Sequence, residues 1–131
     1  MKKSGIINSQ LSRLIAEMGH KDSFVVADCG LPIPKNVERI DLSLTKGYPK
    51  FLKILEAALE DLVVEKAILA SEIKEKSPEL EAQIIELMPG LEIEYISHAE
   101  FKKQTKNSRA VVRSGETIPY ANIILISGVD F

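Results

Sequence analysis

The stretch Met18–Pro34, MGHKDSFVVADCGLPIP, decides how the chain folds. Its centre, Phe24-Val25-Val26-Ala27, is a short unbroken apolar run and reads as a buried strand. Such a strand belongs to a sheet covered on both faces, as in layered α/β proteins. His20 stands just before the run and Asp28 closes it, so two groups suited to proton transfer flank one strand. Gly30-Leu31-Pro32-Ile33-Pro34 must be a rigid loop, because two prolines forbid a regular continuation.

Upstream, Asn8 is a good N-cap. Leu11, Leu14, Ile15 and Met18 follow at helical spacing, and Gly19 is a natural stop. His20 then lies just outside a helix. Downstream, ERIDLSL has the alternation of a second strand. Pro49 opens a helix with the stripe Leu52, Leu55, Leu59 and Leu62. KAILA is a short strand. Ser77-Pro78 starts a helix that buries Leu80, Ile84, Leu87 and Met88, and Pro89-Gly90 ends it. LEIEYI alternates like a half-buried strand. Ser97 and Glu100 form a capping box for a short helix to about Thr105. AVV and NIILIS are late strands joined without a helical pattern between them. The expected fold is α/β: a single three-layer domain over residues 1–131, with a mixed sheet covered by helices on both faces.

Composition narrows the function. The chain has 131 residues, 45% hydrophobic and 27% charged, which is a globular balance. With 17 basic and 19 acidic residues the net charge is −2, giving no electrostatic case for nucleic acid or an anionic membrane. The basic stretch FKKQTKNSR reads as a solvated helix face. One cysteine, Cys29, excludes an intrachain disulfide and fits a reducing cytoplasm; its apolar setting reads as an inert buried thiol. No signal-peptide core and no apolar run long enough to span a bilayer is expected. Glycine-rich phosphate loops, a nucleophile elbow and paired zinc-ligand spacings are all missing, so those chemistries and a structural zinc site are set aside.

A sparse polar set remains. His20 reads as a surface histidine or a proton shuttle. Asp28 ends an apolar strand, where ligand groups commonly sit in α/β sheets, although Asp is also a routine turn former. His98 falls at a first helical position, where the helix dipole favours a neutral ring able to bond a hydroxyl; a solvated helix start is the plain alternative. Lys102 shares its face, four residues on. In RSGETIPYANIIL, Ser114-Gly115-Glu116 reads as a turn leading through Tyr120, Ala121 and Asn122 into a buried strand. Tyr and Asn offer uncharged donors and acceptors that suit a sugar, and equally a packing ring and a backbone-bonding amide.

The motifs GHKDSFVVADCGLPIP and GETIPYANIIL closely resemble the ribose pyranase and fucose mutarotase family. The likeness runs from KSGIIN to ILISGV, and GIINSQLSRLIAEMGH is similar to the ribose branch. It implies a cofactor-free isomerase, interconverting β-pyranose and β-furanose forms of free D-ribose. By the same resemblance His20 is the catalytic acid. Asp28, His98, Tyr120 and Asn122 bind the sugar, with Ala121 offering backbone. Ring-like homo-oligomers, commonly decamers with sites near subunit contacts, are also implied.

Residue chemistry agrees, since histidine can take or give a proton near neutral pH. A strand rising roughly 3.3 Å per residue covers about 13 Å from Phe24 to Asp28. A ribose spans about 5–6 Å, on the scale of ordinary bond lengths. A straight strand therefore keeps His20 and Asp28 of one chain from one sugar. The expectation is a pocket that takes His20 from one subunit and Asp28, with Tyr120–Asn122, from its neighbour. Competing readings are a ribose-binding accessory or sensor without turnover, the fucose branch, and a nucleotide-binding regulator disfavoured by the missing phosphate loop.

Overall fold

The computed structural model describes residues 1–131. The chain runs α1 (Ser9–Glu17), β1 (Ser23–Ala27), β2 (Glu38–Asp41), α2 (Phe51–Asp61), β3 (Val64–Ala70), α3 (Ile73–Lys76), α4 (Pro78–Leu87), β4 (Glu92–Ile96), α5 (His98–Gln104), β5 (Ala110–Arg113) and β6 (Ile123–Ser127). The six strands form one sheet in the order β2-β5-β1-β6-β3-β4. Pairings β1–β5, β2–β5 and β3–β4 are parallel, while β6 is antiparallel to both β1 and β3. Five strands thus point one way and β6 runs against them. The carboxyl ends of β1 and β3 meet the start of β6.

The apolar run in β1 faces two layers. Phe24 and Val26 join the larger core with Leu11 and Leu14 of α1, Leu55 of α2 and Ile84 of α4. Val25 and Ala27 face the other side, with Ile68, Val111, Ile124 and Phe101 of α5. Helices therefore cover both faces, as expected, but unevenly. The second face is completed by Leu31 and Val37 of the loop after β1. Each fully buried Val, Leu or Phe contributes about 1.5–3 kcal/mol relative to exposure.

Local signals hold at several ends. Asn8 Oδ1 accepts the Leu11 N–H at 2.9 Å, and Ser97 Oγ accepts the Glu100 N–H at 3.1 Å. Helix α1 stops before Gly19, as read, through an extended Met18 and without a left-handed glycine; the positive φ belongs to Lys21, at 72°. Two readings are corrected. The buried stripe of α2 is Phe51, Ile54, Leu55 and Ala58, with Leu52 and Leu59 only half-buried. Two helical stripes overlap in that sequence, and small Ala58 lets the helix approach the sheet along the one containing it. The short helix α3 follows β3 where no periodic signal announced it.

Candidate active site

The expected polar residues gather at two opposite ends of the sheet. At the carboxyl end of β1, Asp28 binds Asn122 twice: Asn122 Oδ1 accepts the Asp28 N–H, and Asn122 Nδ2 donates to Asp28 Oδ2, both at 2.9 Å. Asp28 Oδ1 also accepts the Gly30 N–H at 2.9 Å. The turn-forming role of Asp28 is therefore present, alongside its place at a strand end. Asn122 and Ala121 have no exposure, and Asp28 is half-buried.

Tyr120 carries the chain into this corner with a positive φ of 63°, unusual for a tyrosine and found mainly where surrounding structure enforces it. Its ring meets His98 edge-on, with centroids 5.1 Å apart. The His98 ring also lies nearly parallel to Phe101, with centroids 6.4 Å apart. Among these rings His98 Nδ1 is buried and has no hydrogen-bond partner. Buried polar atoms are nearly always paired, so this nitrogen is an exception at the corner.

Glu72, just past β3, was not anticipated. Its two carboxylate oxygens both accept the His98 N–H at 3.0 Å. Burial pushes the Glu72 carboxyl up, but backbone donors at Glu72 and His98 outweigh it and hold the group below its usual range. The expectation for His98 counted only the helix dipole; Glu72 sets a negative charge against that field. The strand-end position of Glu72 was the available signal. Lys102 lies on the exposed side of α5, and its ammonium forms no ion pair within the chain.

The segment Ser114–Asn122 is shaped by a buried carboxylate. Glu116 is 2% exposed, and its Oε1 accepts the N–H groups of Thr117 at 3.0 Å and Ile118 at 3.2 Å. Ser114 Oγ donates to the Ala27 carbonyl at 2.6 Å, tying the segment to the end of β1. Only glycine fits at 115, since a Cβ there would sit 2.2 Å from the Tyr48 carbonyl oxygen. Cys29 is half-buried rather than fully enclosed. It lines a cavity of about 250 Å³ with Ser43, Thr45, Lys46 and Arg113. A larger cavity of about 350 Å³ lies beside Pro119, bounded by Ser77 and Gln83. No group of three or more His, Cys, Asp or Glu side chains converges to hold a metal ion.

His20 is at the other end of the sheet. The register pairs Val26 with Ile123 and Ser23 with Ile126, so Asn122 adjoins Asp28 while Ser127 adjoins the turn before β1. In that turn the Lys21 N–H donates to the Ser127 carbonyl at 2.9 Å. His20 is exposed, with Nε2 2.9 Å from Glu65 Oε2 on β3. The other Glu65 oxygen takes the Lys21 ammonium. Lys21 foremost, then His20, holds the Glu65 carboxyl below its usual range. Glu65 too escaped the sequence reading, because its partner His20 lies 45 residues away. One chain therefore brings Asp28, His98, Tyr120, Ala121 and Asn122 to one corner and leaves His20 apart.

No helix is long and apolar enough to cross a membrane. Proteins named D-ribose pyranase from Coprothermobacter proteolyticus and Geobacillus kaustophilus are 55% and 52% identical over the whole chain, covering 100% and 96% of those proteins. The solved structure of Bacillus subtilis RbsD complexed with D-ribose is 49% identical, with a TM-score of 0.97 and both chains fully covered. A fucose mutarotase from Streptococcus pneumoniae, solved with L-fucose, is 25% identical over 95% of each chain, with a TM-score of 0.82. The model of the RbsD / FucU transport protein family matches residues 1–130, and the chain belongs to that family.

Proposed function

We propose that the protein is a D-ribose pyranase, an isomerase that interconverts the β-pyranose and β-furanose forms of free D-ribose. The observation that carries this reading is the full-length likeness to the D-ribose complex, at 49% identity and a TM-score of 0.97. The reaction requires a base to take the proton of the anomeric hydroxyl and an acid to protonate the ring oxygen. The bond from C1 to the ring oxygen then breaks and the open aldehyde forms. Addition of the 4-hydroxyl to C1, in place of the 5-hydroxyl, gives the five-membered ring. Protons are only exchanged, so no electron carrier enters the balance.

In this proposal His20 is the catalytic acid and base. Asp28, His98, Tyr120, Ala121 and Asn122 hold the sugar, and Lys102 is a peripheral contact. Asp28 is braced by Asn122, and His98 Nδ1 has no hydrogen-bond partner within the chain, so a small turn of the ring would bring it to a sugar hydroxyl. The separation of His20 from this corner supports a pocket shared between subunits of a ring-shaped homo-oligomer, a decamer in the family pattern. The single cysteine is in keeping with a cytoplasmic setting.

Saturation-transfer NMR on equilibrated ribose measures the exchange between ring forms directly. The protein accelerates this exchange, and His20→Ala lowers the acceleration by ~10²–10⁴-fold, the usual worth of a positioned acid–base group. Ribose still binds the variant. Unchanged exchange in His20→Ala rejects His20 as the catalyst, and binding of ribose by the unaltered protein without any acceleration rejects the isomerase in favour of a sugar sensor.

A further inference from the structure

We propose that Glu65 is a positioning residue for His20, holding the imidazole with its proton on Nε2 and leaving Nδ1 as the nitrogen that exchanges protons with the sugar. This rests on the assignment of His20 as the catalyst. Glu65 Oε2 lies 2.9 Å from His20 Nε2, and Oε1 is occupied by the Lys21 ammonium. An ionised carboxylate only accepts hydrogen bonds, so in a neutral ring the shared proton belongs to Nε2. Lys21, and after it His20, keeps Glu65 on the ionised side.

Backbone irregularities aim these groups at one another. The β3–β6 register places Val64 opposite Ser127 and Lys66 opposite Ile126, so Glu65 is the extra residue of a bulge. Bulges re-aim a side chain and recur beside active sites. Gly128 makes room there, since a Cβ on it would lie 3.1 Å from the Glu65 Cβ. Across the gap, Lys21 adopts the left-handed region at φ 72°, which turns His20 and Lys21 together toward β3. The turn is fixed from three sides. Asp22 Oδ2 accepts the Gly19 N–H and Arg109 Nη2, both at 2.9 Å, and the Lys21 N–H reaches the Ser127 carbonyl at 2.9 Å. An exposed ion pair alone is worth little and does not account for a bulge and a left-handed lysine facing each other.

The test compares Glu65→Ala with the isosteric Glu65→Gln. The readouts are imidazole ¹⁵N NMR, ribose exchange by saturation transfer, and thermal unfolding. The chain has only two histidines, so a His20→Ala spectrum assigns both rings. Spectra are taken at a pH high enough that the ring is neutral, where the unaltered protein carries the His20 proton on Nε2. In Glu65→Gln the amide oxygen keeps Lys21 and the amide N–H faces Nε2, so the proton moves to Nδ1. In Glu65→Ala the two forms mix. Turnover falls about tenfold in each variant, part of the ~10²–10⁴-fold that acid–base catalysis supplies, while KM changes little. Glu65→Gln is no more active than Glu65→Ala, the reverse of what a structural role predicts. Near-normal turnover in Glu65→Gln, an unchanged tautomer in both variants, or an effect confined to KM overturns the proposal. Full activity in His20→Ala instead removes the catalytic assignment beneath it, while the NMR still reports whether Glu65 sets the tautomer.

Discussion

Asn122 has no solvent exposure, and its amide serves two groups of one residue, the Asp28 N–H and the Asp28 carboxylate. Asn122→Asp keeps an acceptor for the N–H but sets a second carboxylate 2.9 Å from Asp28 Oδ2, where like charges force one group to protonate or turn away. The expected cost is about 1–3 kcal/mol of stability by urea unfolding, with weaker ribose binding; both recover in acid as the new carboxyl becomes a donor. Unaltered binding and stability count against this role. The sequence left Asn122 between sugar ligand and structural amide, because nothing local says which neighbour the amide meets. His98 and Ser97 were legible as a helix start, since capping is a contact of three residues. The Glu72 carboxylate that completes this start comes from 26 residues away, beyond the range of a local pattern.

Among the elements, those with caps were read most closely: α1 behind Asn8 and α5 behind Ser97. The stripe of α2 was displaced because hydrophobicity alone did not rank Ala58 above Leu59. Strand β4 was legible as half-buried by its alternation, and Tyr95 gives that burial a measurable signature. Its hydroxyl donates to Glu81 Oε2 on α4 at 2.6 Å, and Lys74 Nζ lies 4.0 Å from the ring centre. Burial first, then the Glu81 bond and charge, pushes the phenol from 10.0 up to about 12. The folded state thus holds the proton more tightly than the unfolded chain. Its stabilising contribution is complete below pH 10, and it is lost as pH rises toward about 12. Unfolding midpoints measured across that interval should fall more steeply for the natural protein than for Tyr95→Phe, with phenolate absorbance reporting the late titration. Parallel pH profiles for the two proteins would discount this tie between α4 and β4.

At the scale of the molecule, the mixed sheet was legible from the late strands, which no helix separates. The strand order was not, because insertion of β6 between β1 and β3 is decided by pairings distant in sequence. That insertion joins Asp28 to Asn122 at one end and sets the His20 turn against Ser127 at the other. The proposed ring-shaped oligomer with a shared pocket predicts complementation. His20→Ala subunits retain the Asp28 corner, and Asp28→Ala subunits retain His20. In rings assembled at random from equal amounts, about a quarter of the pockets receive both intact groups, each half being drawn independently from its own subunit. Ribose exchange should therefore return to about a quarter of normal after dissociation and reassembly, although each variant alone is inactive. A pocket built within one chain gives no recovery, because every subunit then carries one lesion in its own site. Mass spectrometry of the intact rings establishes that mixing occurred, so inactive mixed rings would refute the shared pocket.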